Sequence, residues 1–135
     1  MDIEYKAKTL AGKWVFGSYI RRIENGRESH WIMPFTSVEA VRINRESLCL
    51  FSGRIVGGCK VFENDVIGRI SPKLERLGVV TFLLTTGFYI ALHKHGRKRT
   101  FSHIGNCSDD CYRVIGNVID TPELWDELPK YGRIL

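Results

Sequence analysis

The sequence predicts a mainly β fold, and three features carry that prediction. Apolar and polar residues alternate with period two along much of the chain, while helical periodicity is scarce. The segments that alternate are short and rich in aromatic and β-branched residues, with turn signals about every 8–12 residues. An Asn-Gly pair, Asn25-Gly26, stands between two such segments. It is the strongest short hairpin signal, because both central positions of a type I′ turn need positive φ.

The elements follow in chain order. Ile3 to Lys8 alternates strictly and reads as a half-buried strand, and Leu10 to Lys13 as a turn. Trp14 to Ile20 is the second strand, and His30 to Met33 the third, ended by Pro34. The first third is therefore expected to be a three-stranded meander. Thr36 to Glu46 fits either a short helix or a weak strand, with Val38, Val41 and Ile43 on one side. Leu48–Phe51 reads as a strand and Gly53 to Gly58 as a loop. Val61 to Ile70 is apolar around Asp65 and is closed by Pro72. Gly78–Leu83 and Phe88–Leu92 form a pair of strands about a turn at Thr85–Gly87. Gly96 marks the next turn, Thr100–Ile104 a further strand and Tyr112–Ile119 the last. Thr121-Pro122-Glu123 then opens a short C-terminal helix. Thr121 is a good N-cap, Pro122 suits the first helical position, and Glu123 complements the helix N-terminus. Four or five strands in meander order between residues about 60 and 119 suit a small SH3-like barrel or sandwich. Neither a repeat nor a linker divides the chain, so residues 1–135 are expected to form a single domain.

Length and composition set the class. A chain of 135 residues is long enough to form a core without a metal or disulfide. Its 44% hydrophobic and 26% charged residues match a globular protein, neither disordered nor membrane-like in composition. The longest apolar stretch, about residues 77–84, falls far short of the ~20 residues of a membrane helix. Met1-Asp2-Ile3-Glu4 starts acidic, whereas a signal peptide starts basic and continues apolar. The expected location is the cytoplasm, with no membrane partner.

The four cysteines fit a reducing compartment. Cys107 and Cys111 have a separation tolerated in half a zinc site, but Cys49 and Cys59 are too far apart to supply the other half. Cys49, within Leu48-Cys49-Leu50-Phe51, has the surroundings of a small buried thiol. The expectation is reduced, unligated cysteines, with no metal and no cofactor.

Four stretches resemble the YopX family of phage and prophage proteins. Trp14-Val15-Phe16-Gly17-Ser18-Tyr19-Ile20 is similar to that family's early VYGxYI segment, and Glu46 to Gly53 to its ETVGQYTG. Lys60-Val61-Phe62-Glu63-Asn64-Asp65-Val66-Ile67 resembles KxIYEGDIV. Tyr112 to Leu124, which reads YRVIGNVIDTPEL, resembles xEVIGNIYDNPELL and is the most specific of the four. Order and spacing agree along nearly the whole chain. Cys49-Leu50 replaces the usual Gly-Gln, Asn64 replaces the Gly of EGD, and Arg54–Cys59 lacks the KDKNG pattern. The resemblance implies a β-rich, phage-encoded, oligomeric protein, with no assigned activity and no catalytic residues to carry over.

The candidate chemistry is sparse. On a strand, Glu63 and Asp65 would share one face and could hold a metal or act as an acid–base pair. The competing structural reading makes Asp65 an acceptor for backbone N–H groups in the tight turn before a strand. The structural reading is preferred, since no histidine or third carboxylate accompanies the pair. Gly116-Asn117 inside an apolar strand likewise suits a bulge whose freed groups Asn117 caps. Ser102 and His103 are adjacent, which rules them out as a nucleophile–base pair on one strand face. The Gly-x-Ser-x-Gly, Cys–His and phosphate-loop signatures are missing.

Charge offers the clearest functional lead. The net charge of +5 comes from 20 basic and 15 acidic residues. His93 to Arg99 contributes four of the basic ones (Lys94, Arg97, Lys98 and Arg99) and no acidic one, so 16 remain against 15 elsewhere. A solvated hairpin tip explains this run most simply, and a phosphate-contacting finger is the functional alternative. The chain thus reads as a phage-encoded, non-enzymatic interaction or assembly module, expected to form a homo-oligomer or to bind a phage or host protein. The alternative is a nucleic-acid-binding β-barrel using residues 93–99. A metal-dependent enzyme built on Glu63, Asp65 and a histidine is a distant third.

Overall fold

The computed structural model describes residues 3–69, 75–83, 88–95, 98–103 and 112–124. It is mainly β, and two compact units divide the chain, Met1–Phe51 and Ser52–Leu135.

The first unit holds β1 (Tyr5–Lys8), β2 (Trp14–Glu24), β3 (Arg27–Pro34) and β4 (Val41–Arg42). It also holds a single 3-10 turn, Arg45–Ser47, and the first residues of β5 (Cys49–Val56), which runs on into the second unit. The expected meander is present: β2 pairs antiparallel with both β1 and β3, with Tyr5 opposite Gly17 and Tyr19 opposite Ile32. Asn25 and Gly26 close the β2–β3 hairpin at φ 51 and 75, as a type I′ turn requires. β4 adds to β3, and Tyr5 and Lys6 of β1 pair with Leu50 and Cys49 of β5.

Alternation sends Ala7 and Ile32 to one sheet face. There they pack with Ile43, and with the partly buried Tyr5, Val15, Tyr19 and Leu48. The ambiguous stretch 36–46 resolves into the two residues of β4 followed by the 3-10 turn. Asn44 caps that turn by accepting from the Glu46 N–H at 3.2 Å, and Ser47 Oγ accepts from the Lys8 N–H at 2.7 Å. Ile43 joins the core, whereas Val38 is 93% exposed and belongs to no buried face.

The second unit begins with the rest of β5 and adds β6 (Cys59–Phe62), β7 (Asp65–Arg69), β8 (Glu75–Leu83), β9 (Phe88–His95), β10 (Lys98–His103) and β11 (Tyr112–Asn117). The loop expected over Gly53–Gly58 is a strand as far as Val56, and only Gly57 and Gly58 turn. Gly53 takes φ 86, and Ser52 Oγ accepts from the Arg54 N–H while donating to the Val61 carbonyl. Its positive φ kinks the strand locally without ending it.

Among the described residues, the part expected to form a small barrel or sandwich contains a five-stranded sheet in the order β10-β9-β8-β7-β11, a meander whose last strand returns beside the first. β7 does not alternate because both its faces are covered. Ile67 packs with Val80, Tyr112, and Val56 and Val61 of the β5–β6 hairpin. Val66 packs with Leu77, Val79, Val118 and Leu124. Of the segment expected to form a C-terminal helix, Thr121–Leu124 is described, and the Leu124 N–H donates to the Thr121 carbonyl at 3.0 Å. The residues after 124, Pro72, the expected turns at Thr85–Gly87 and Gly96, and Ile104 lie outside the described residues. Among the described residues no helix is long and apolar enough to cross a membrane.

Gly17 marks the tightest approach in the first sheet. It is buried, and a Cβ there would collide with the Met33 carbonyl of β3, which is backbone and cannot swing aside. Gly17→Ala is expected to cost about 1–3 kcal/mol. Urea denaturation measures this, and a variant as stable as the parent would contradict the register.

Candidate functional site

Asp65 and Asn117 are the most deeply buried polar pair, 2% and 5% exposed. Asp65 opens β7 and Asn117 ends β11, and the two are register partners across the sheet. Asn117 Nδ2 donates to Asp65 Oδ1 at 2.8 Å, while Asp65 Oδ2 accepts from the Phe62 N–H at 2.8 Å. Asn117 Oδ1 accepts from the Ile119 N–H at 2.7 Å, and its backbone carbonyl accepts from the Thr121 N–H. Both Asp65 oxygens and both ends of the Asn117 amide are therefore engaged inside the fold.

Local sequence puts them there. Glu63 and Asn64 form the two-residue turn between β6 and β7, with Asn64 at φ 69, a left-handed value that Asn tolerates better than most residues. The Asn64 N–H donates to the Val80 carbonyl, and the Asn64 carbonyl accepts from the Val118 N–H, each at 2.9 Å. β11 carries a bulge between Val114 and Gly116, which brings Asn117 into register with Asp65. Gly116 lies under Leu124, whose Cδ1 would stand 2.7 Å from an added Cβ. Glu63 belongs to the turn and not to a strand, so the shared-face argument for a Glu63–Asp65 pair does not apply.

Among the described residues no three His, Cys, Asp or Glu side chains come together in a way that could hold a metal. Cys49 is buried, with its thiol 3.3 Å from the Ser47 carbonyl, and Cys59 is exposed. Cys107 and Cys111 lie outside the described residues.

The basic run maps to a hairpin. β9 and β10 are antiparallel, with Lys94 opposite Arg99 and His95 opposite Lys98. Arg97 lies outside the described residues.

The first unit carries a second cationic surface that emerges only from strand register. Opposite the core face of its sheet, β1 contributes Lys6 and Lys8, and β2 contributes Trp14, Phe16, Ile20 and Arg22. Trp31 and Met33 of β3 and Arg42 of β4 continue that face. The cations lie over the rings: Lys6 Nζ is 4.7 Å and Lys8 Nζ 5.5 Å from the Trp14 centroid, and Arg22 Cζ is 4.7 Å from the Trp31 centroid. Such pairs are favourable because the negative face of the ring attracts the cation. At the hairpin end Glu24, Arg27, Ser29, Trp31 and Arg42 line an open depression of about 560 Å³. Trp31 Nε1 is held there by Ser29 Oγ at 2.9 Å. Glu28 also borders the depression, but Arg21 from the core face forms an ion pair with it. His30 Nε2 lies 3.6 Å from the same carboxylate, and His30 Nδ1 is hydrogen-bonded to the Tyr19 hydroxyl at 2.6 Å. The sequence holds the signal for this face as two-residue steps, Lys6 to Lys8, Trp14 to Phe16 and Trp31 to Met33. It becomes one surface only once the register is known.

No protein-family model, curated protein or solved structure matches the chain.

The Asp65–Asn117 network makes a specific demand on stability. Asp65→Asn keeps the shape but turns an amide N–H₂ toward a donor, either Phe62 N–H or Asn117 Nδ2. Asn117→Ala strands Asp65 Oδ1 and the Ile119 N–H. Each is expected to cost about 2 kcal/mol, the penalty for a buried polar group left unmatched. Chemical denaturation reads the loss, and wild-type stability in both variants would remove the scaffolding role.

Proposed function

We propose that the chain is a non-enzymatic interaction and assembly module of the YopX kind, encoded by a phage or prophage and acting in the cytoplasm of the host cell. One observation carries this reading. Two of the stretches that resemble that family, Lys60–Ile67 and the most specific one, Tyr112–Leu124, meet in the Asp65–Asn117 hydrogen bond. The distinctive polar residues of both stretches are thus consumed in holding strands and turns together. Asn64, which stands where the family pattern has Gly, takes the left-handed φ that explains such a Gly.

Binding then falls to the surface. Phe35, 53% exposed, and Val38 stand out from the segment between β3 and β4, and Ile23 from the end of β2. Apolar groups of this size in contact with water favour association. The partner proposed is a second copy of this chain, with a phage or host protein as the heterotypic case. Light scattering at micromolar protein should return a multiple of the 15.5 kDa chain mass. A monomer mass across that range would overturn self-assembly.

A second reading is supported by the register of β9 and β10, which brings Lys94 opposite Arg99. Clustered cations of this kind bind duplex phosphates without regard to sequence, and affinity then falls steeply with salt. Four phosphate contacts would lose about a hundredfold in affinity between about 50 and 200 mM salt. Exchanging Lys94, Arg97, Lys98 and Arg99 for Gln is expected to abolish duplex retardation at low salt, with stability held within about 1 kcal/mol. If the parent chain fails to retard duplex at low salt, the run is a solvated hairpin and nothing more.

A further inference from the structure

We propose that the face of the first unit bearing Trp14, Phe16, Arg22, Trp31 and Arg42 is a stacking platform for single-stranded nucleic acid, separate from the basic hairpin of β9 and β10. Three observations converge on this face. Its charge is one-sided: by register the exposed Arg22, Arg27 and Arg42 and the half-buried Lys8 share it with Glu24, while Lys6 on the same face is buried. Its aromatic groups are interleaved with those cations along and across the strands, and Phe16 is 46% exposed. Its hairpin end is concave, with Trp31, Arg27 and Arg42 around one depression.

Each class of group answers one part of a nucleotide. Lys and Arg attract phosphates irrespective of sequence, and aromatic rings or guanidinium planes stack on bases. Arg22 lies over the Trp31 ring, so a planar cation is already placed beside the depression. A base can extend that stack while Arg27 and Arg42 meet the flanking phosphates. Trp14 and Arg22 lie on β2 at a separation of roughly 26 Å, taking about 3.3 Å per residue. That length accommodates a short run of nucleotides, the scale of site seen on other sheet-based single-strand binders.

The same chemistry disfavours the other anionic partners. Duplex DNA keeps its bases stacked on one another, so it would engage the cations and leave the rings unused. An acidic peptide neutralises the cations but offers little to stack on Trp31. The ion pair between Arg21 and Glu28 engages the nearest second carboxylate from the core face, leaving the depression net cationic.

The test uses the full chain and a labelled oligothymidine of about 12 nucleotides, followed by anisotropy and by quenching of tryptophan emission. The parent chain is expected to bind at about 50 mM salt, with a log–log salt slope no steeper than about −2.8 for four single-strand phosphate contacts. Trp31→Ala and Arg22→Gln should each weaken binding about tenfold or more, the loss expected for one stacked base. Trp31→Phe should retain most of the affinity, and Arg42→Gln should reduce the slope by about 0.7. Exchanging Lys94, Lys98 and Arg99 for Gln should leave single-strand affinity within about twofold, because the platform uses none of them. Arg22 and Arg42 are exposed, so their variants carry the test even if Trp31→Ala fails to fold. Three results overturn the proposal: no binding by the parent chain at low salt, equal affinity for a duplex or polyglutamate competitor, or a loss confined to the β9–β10 variants.

Discussion

The second unit is organised around one hydrogen bond, from Asn117 Nδ2 to Asp65 Oδ1, and its neighbours explain why two polar residues occupy a core. Asp65 stands immediately after the turn that launches β7, and Asn117 ends β11 just past its bulge. Each therefore sits where the backbone has left groups unpaired. The Asp65 side chain takes up the Phe62 N–H on one side of the pair, and Asn117 takes up the Ile119 N–H on the other. Leaving either group unmatched would cost about 1–3 kcal/mol, as large as the burial of an aliphatic side chain gains. The pair also fixes register. A slip of one residue between β7 and β11 would reverse Val66 and Ile67, which serve different apolar clusters on opposite faces. The polar bond is thus a condition for both apolar clusters to form.

The first unit solves a different problem, since only one face of its sheet carries the cluster around Ala7, Ile32 and Ile43. Its other face still holds large rings at Trp14, Phe16 and Trp31, which alone would present a sticky apolar surface. The exposed Arg22 over the Trp31 ring lowers that liability by about 0.5–1 kcal/mol. Lys8 and the buried Lys6 cover the Trp14 ring. The arrangement keeps aromatic surface on this face with cations beside it.

Local signals foretold local structure. Asn25-Gly26, the alternation through Tyr5–Lys8, the aromatic and β-branched run Trp14–Ile20, and the β8–β9 pair all lie where the sequence put them, because a turn type, a two-residue period or strand-favouring composition decides each. The bulge at Gly116 and the backbone-accepting role of Asp65 were legible for the same reason: Gly within a strand and Asp in a turn have few other uses. Gly53 misled, because a glycine with positive φ reads as a loop, although here it only kinks a strand that continues to Val56. The cationic–aromatic face was invisible for a deeper reason. Lys6, Arg22, Trp31 and Arg42 are far apart in the chain, and only the pairings of β1 with β2, β2 with β3 and β3 with β4 bring them to one side. Period-two alternation shows that residues share a face of one strand, but cannot show which faces of different strands coincide.

Sheet ends bear on how such a chain associates. β10 and β11 are the outer strands of the five-stranded sheet among the described residues, and the two are protected differently. β10 carries Lys98 and Arg99, and charge along an outer strand discourages the same strand of another copy from pairing with it. β11 carries its bulge, which twists an edge away from regular pairing. β4, the outer strand beside β3, is only two residues long and offers almost no ladder to extend. With a charged edge, a bulged edge and a truncated one, three of the four outer strands among the described residues are poor templates for strand addition. Contact through exposed apolar side chains such as Phe35 and Val38 meets none of these obstacles. Charge in the β10 sequence is thus also accounted for by edge protection alone. For that reason the interleaved cations and rings of the first unit are the stronger sign of a nucleic-acid ligand than the more concentrated charge of the hairpin.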